Sequence, residues 1–139
     1  MNAAVRNVKG VLFGRAGAMS VLDSGSGTTI VGGQGAATVT ATGSGELLGQ
    51  QSGGLDFIGG ASASTVFGSP GASSTITAGS GGVWYTNLGD NTTIFGGSGT
   101  VTLFGGPGGV VNYSGSIAGA QYEALAGNET LNAAGSSTS

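Results

Sequence analysis

The chain has 139 residues, a net charge of −3, 32 glycines, no histidine and no cysteine. It therefore lacks the usual neutral-pH base and thiol nucleophile, and no Ser–His pair can form. With three basic residues it is a poor match for a phosphate backbone, and no apolar run is long enough to cross a bilayer.

Apolar residues return at every ninth position. Leu12, Val21, Ile30, Val39, Leu48, Phe57 and Val66 keep this spacing without a slip. One insertion follows, and Ile76, Tyr85, Ile94, Leu103 and Asn112 resume it. A second insertion leads to Tyr122 and Leu131. Asn112 is the one polar residue in the series. A short period along a whole chain is the mark of a solenoid, whose units stack on one another. A disordered Gly-rich chain would not keep such a register.

The expected fold is all-β, a parallel β-roll or β-solenoid forming a single domain over 1–139. About seven 18-residue coils, each of two nonapeptide units, would cover about 5–132, with a polar tail at 133–139. At about 4.8 Å per coil the rod would be about 34 Å long.

With the apolar slot placed eighth, residues 32–40 read GGQGAATVT, 78–86 AGSGGVWYT, 96–104 GGSGTVTLF and 105–113 GGPGGVVNY. These strings resemble the RTX nonapeptide GGxGxDxUx, a parallel β-roll repeat that binds calcium. The resemblance implies a six-residue turn, a short strand, and Ca²⁺ held by the sixth-position Asp. No sixth position here is Asp, and Glu46 and Glu129 are its only carboxylates. Two isolated Glu cannot supply the six to eight oxygens Ca²⁺ takes, so a calcium-independent roll without metal or other cofactor is expected. Positions six and eight share parity, so both should face inward, as in Val83 with Tyr85 or Leu55 with Phe57. Added apolar burial would offset the lost ion.

Positions seven and nine should face outward. Position seven is rich in Thr, and Thr38-Val39-Thr40 and Thr75-Ile76-Thr77 form T-x-T steps. Position nine carries Phe13, Phe67, Phe95, Phe104 and Tyr113, which are candidate lateral contacts if exposed. The carboxylates Asp23, Glu46, Asp56, Asp90, Glu123 and Glu129 form no facing pair on this register, and no enzyme activity is expected.

The basic residues Arg6, Lys9 and Arg15 lie at one end, and Glu123 and Glu129 at the other. A head-to-tail contact between such ends would repeat without closing and make a filament. The N-terminus lacks the apolar core of a cleaved signal peptide. RTX-like chains leave bacterial cells on an uncleaved C-terminal signal, and the ending AGNETLNAAGSSTS is similar to such a tail. The expected function is thus that of a secreted bacterial structural protein. It would polymerise with itself, without calcium, into an extracellular fibre for biofilm matrix, adhesion or cell cohesion. Extracellular polysaccharide or a cell surface are further expected partners; nucleic acid and a membrane span are not. The alternatives are an ice-binding or polysaccharide-binding solenoid acting as a monomer, the latter through Trp84.

Overall fold

The computed structural model describes residues 3–6, 9–43, 45–115, 120–124 and 130–134. Among them are fifteen strands, all paired in parallel, and no helix. One sheet has eight strands: β1 (Ala3–Arg6), β3 (Met19–Asp23), β5 (Ala37–Ala41), β7 (Leu55–Ile58), β9 (Ser73–Thr77), β11 (Asn91–Phe95), β13 (Val110–Ser114) and β15 (Thr130–Ala134). The other has seven: β2 (Val11–Phe13), β4 (Thr29–Val31), β6 (Leu47–Gly49), β8 (Ser64–Phe67), β10 (Val83–Thr86), β12 (Val101–Gly105) and β14 (Ala120–Ala124). The chain alternates between the sheets, so each coil contributes one strand to each. This is a β-solenoid.

The nine-residue period produces this fold because two units make one coil. Val39 pairs with Val21 and Phe57, and Leu48 with Ile30 and Val66. Val21, Ile30, Val39, Leu48, Phe57, Val66, Ile76, Tyr85, Ile94 and Leu103 form two inward columns and are buried. Each such side chain contributes about 1.5–3 kcal/mol on burial. Position six is buried as well, with Met19, Ala37, Leu55, Val83, Val101 and Val111 in the core. The core is therefore two residues wide on each sheet.

Glycine keeps the turns one strand spacing apart. A Cβ on Gly43 would run into the Gly25 carbonyl of the preceding coil. The Gly43 amide instead donates to the Asp23 carbonyl at 3.3 Å, beside Thr42 N at 2.7 Å.

The register departs from the sequence reading near the C-terminal end. Ile94 pairs with Tyr113, not with Asn112, so the second insertion falls in the turn before Val110. Asn112 is exposed, while Val111 and Tyr113 are buried on either side of it. The Asn112 anomaly was thus a one-residue slip, which flips every side chain of the strand to the other face. A further insertion precedes β15, where Leu131 pairs with Val111 and leaves the eighth-position column. The strands also extend past the expected limits, beginning at Ala3 and reaching Ala134.

Candidate assembly surfaces

The two ends of the seven-stranded sheet differ from its interior in how well their column residues are covered. Leu12 of β2 occupies the same column as Ile30 and Leu48 but is only partly buried. Tyr122 of β14 occupies the column of Leu103 and Tyr85, yet it is 38% exposed where Tyr85 is 0%. Both side chains stand in the register of a core column, at the ends of the described seven-stranded sheet. Beside Leu12 on β2, the outward Val11 is exposed, and Phe13 reaches 70% exposure.

Lys9 and Arg15 flank β2 and are exposed, and Glu123 is exposed on β14. The side chains of Arg6, Glu129 and Leu131 lie outside the described residues; Arg6 itself ends β1, at the edge of the eight-stranded sheet. The described charges anticipated for a head-to-tail contact therefore sit at opposite ends of the stack.

The outer faces of the sheets differ in chemistry. On the eight-stranded sheet one outward column holds Ser20, Thr38, Asp56, Thr75, Thr93 and Asn112, and the other holds Leu22, Thr40, Ile58, Thr77 and Phe95. Asp56 breaks the threonine array that ice binding would use. On the seven-stranded sheet the outward residues include Val11, Phe13, Leu47, Phe67 and Trp84, all exposed, and from β2 to β12 this face carries no charge. The Trp84 and Phe104 rings lie 6.0 Å apart and tilted by 53°. The five candidate lateral residues thus separate. Phe13, Phe67 and Phe104 share this face, Phe95 is exposed on the opposite one, and Tyr113 is buried and makes no lateral surface.

A polar cluster inside the roll was not anticipated from sequence. The Tyr85 hydroxyl and Thr92 Oγ1 lie 2.8 Å apart and donate to Asp90 Oδ2 at 2.6 and 2.9 Å. Asn87 Nδ2 donates to the Asp90 carbonyl at 3.0 Å, and Asn87 Oδ1 accepts from the Gly89 and Asp90 amides. Burial, and then the Asp90 carboxylate, push the Tyr85 phenol far above its ordinary value. The sequence did hold a signal: Tyr85 stands in a column of aliphatic side chains, and a buried phenol needs a partner.

Two more carboxylates are buried. Glu46 Oε2 accepts from Ser64 Oγ at 3.1 Å, and Asp23 Oδ1 accepts from the Gly25 amide at 2.8 Å. Asp23 Oδ2, Glu46 Oε1 and Asp90 Oδ1 have no hydrogen-bond partner. Among the described residues no three metal-ligating side chains converge. Gln50 fills the inside of a turn, donating through Nε2 to the carbonyls of Gly35 and Ser52 at 2.7 Å and of Gly33 at 3.3 Å. A groove over the turns, lined by Lys9, Ser24, Ser26, Thr42 and Ser62, offers one cation and small polar groups. It places no carboxylate beside a nucleophile.

No protein-family model, curated protein or solved structure matches the chain. No helix is long and apolar enough to cross a membrane among the described residues.

Proposed function

We propose that this chain is a secreted structural protein that assembles head to tail into an extracellular fibre, without calcium. Its role is mechanical, in biofilm matrix, adhesion or cell cohesion. The observation that carries this reading is the state of the end columns. Leu12, partly buried against the core, and Tyr122, 38% exposed, continue a core column beyond which no further described strand lies.

A second copy displaced along the rod supplies such a strand. Its β2 continues the seven-stranded sheet beyond β14, and its β1 continues the eight-stranded sheet beyond β15. Parallel pairing and chain direction are preserved in both sheets, as in strand addition generally. Tyr122 then covers Leu12 of the next copy, and Glu123 falls opposite Phe13, two residues from Arg15, with Lys9 at the other end of β2. The exposed charges set polarity and contribute little energy. Extracellular bacterial placement rests on the resemblance of the repeats to the RTX nonapeptide. Calcium independence is supported by Gln50, whose amide donates to three turn carbonyls, the class of oxygen a hard cation would seek.

Electron microscopy of the purified protein in excess EDTA tests this reading. Uniform filaments are expected. Monodisperse particles with and without Ca²⁺ would overturn it and favour the second reading, in which Trp84 and Phe104 stack against a polysaccharide. That reading draws on the exposed aromatic pair alone.

A further inference from the structure

The outer face of the seven-stranded sheet has a size pattern that the fold does not require. Each strand presents two outward residues. They are Leu47 and Gly49 on β6, Thr65 and Phe67 on β8, Trp84 and Thr86 on β10, and Thr102 and Phe104 on β12. From β4, with Thr29 and Val31, through β12 each rung holds one larger residue and one smaller one, and the larger one changes side at every step; β2 carries two large residues, Val11 and Phe13, and β14 carries Gln121 and Glu123.

Gly49 is the extreme case. A Cβ there would meet nothing within 4 Å, and its φ is not in the left-handed region. Neither crowding nor backbone conformation calls for glycine at this point, and glycine weakens a strand. What it leaves is a notch beside Leu47.

We propose that two parallel solenoids pair through this face, related by a two-fold axis running along the stack. Such an axis keeps each rung opposite its own copy and exchanges the two outward positions. Leu47 enters the Gly49 notch of the second copy. Phe67 meets Thr65 and Trp84 meets Thr86, while Phe104 lies over the position of Thr102, which its own chain already buries. The zigzag is therefore its own complement, as an isologous contact requires. No charge is buried between β2 and β12, and at β2 the large pair Val11 and Phe13 faces its own copy, an apolar contact outside the zigzag. An antiparallel pair matches the zigzag only after a shift of one strand. It leaves Val11 and Phe13 bare and sets Glu123 against Val31.

The size of the face ties this pairing to the head-to-tail reading, on which the proposal rests for its strength. A face of about 34 Å by about 10 Å buries roughly 700 Å² over two chains, below the ~1,200 Å² of a stable interface. Free chains pair weakly. A fibre repeats the face in every copy, and the contacts sum.

Mass-per-length measurement on filaments tests the pairing. Wild type should show two chains per axial repeat. Gly49→Lys places a charge outward into open space and should halve that value. Thr38→Lys, on the opposite face, should leave it at two. One chain per repeat in wild type overturns the pairing while the fibre stands. Filaments split by Thr38→Lys and not by Gly49→Lys overturn the choice of face. If no filaments form, the head-to-tail reading fails, and sedimentation of concentrated protein decides the pairing. A reversible dimer lost in Gly49→Lys but kept in Thr38→Lys sustains it, and a monomer throughout overturns it.

Discussion

The Tyr85 hydroxyl donates to Asp90 Oδ2 at 2.6 Å, and both residues are fully buried. Tyr85 belongs to β10, while Asp90 lies in the turn that leads to β11. The bond ties a core column to a corner of the coil. It also gives the buried carboxylate one of its two side-chain donors, the other being Thr92.

Removing that donor should be costly. Tyr85→Phe keeps the ring but leaves Asp90 with Thr92 alone, and a hydrogen bond to a charged group is worth about 1.5–3 kcal/mol. Thermal unfolding should fall by several degrees. An unchanged midpoint would mean that water or a neighbour replaces the hydroxyl.

The same pair makes stability sensitive to alkali. Burial and Asp90 raise the folded phenol above its unfolded value of about 10. The stabilisation is therefore complete below pH about 10 and is lost as pH rises further, when the unfolded phenol ionises first. The loss from this one group should approach about 1.4 kcal/mol per pH unit. Absorbance at phenolate wavelengths should show a tyrosine that ionises only as the fold is lost. Titration of every tyrosine in the intact fold would contradict this.

Gly68 should tolerate no side chain. Its missing Cβ leaves room for the Tyr85 hydroxyl and the Asp90 carboxylate, which a Cβ would meet closer than van der Waals contact. Gly68→Ala should cost about 1–3 kcal/mol by overpacking. In a double-mutant cycle, Tyr85→Phe should relieve part of that cost, giving a coupling above about 0.5 kcal/mol. Simple additivity would separate the two sites.

End and interior positions of one column should respond differently. Leu48→Ala empties a fully buried site and should cost about 2–5 kcal/mol. Tyr122→Ser and Leu12→Ser, at the partly covered ends of that column, should change thermal stability of the monomer less and should abolish elongation. Filaments of normal length from both end variants would break the link between the end columns and assembly.

Chelation should leave the fold intact. No three metal-ligating groups converge among the described residues, and Gln50 satisfies three turn carbonyls. Unfolding curves in EDTA and in millimolar Ca²⁺ should superimpose. A rise in the midpoint with Ca²⁺ would point to the buried oxygens of Asp23 or Glu46.

How much of this was legible follows from what each feature depends on. The nine-residue return of Val21, Ile30, Val39 and Leu48 is a local pattern, and in a stack every coil repeats the same requirement. A solenoid was therefore readable from sequence alone, together with the inward parity of positions six and eight. The slip at Asn112 was not, because Val111 and Tyr113 flank it and either phase nearly fits the period. Pairing of Ile94 with Tyr113 decided it, since an insertion can sit in any turn and only strand register shows which.

The polar cluster needed the third dimension for a different reason. Tyr85, Asp90 and Thr92 lie within one coil, on two strands of opposite sheets and the turn between them, so their meeting depends on how the chain folds across the roll, and Gly68 of the preceding coil leaves the room for them. The outer faces followed the same logic. Sequence gave Phe13, Phe67, Phe95 and Phe104 equal standing at position nine, but alternate units belong to opposite sheets. Only the assembled roll could gather three of them on one face and place Phe95 on the other. Composition and period alone determined that coils stack; packing between coils determined which side chains meet, because contacts across a stack run perpendicular to the chain.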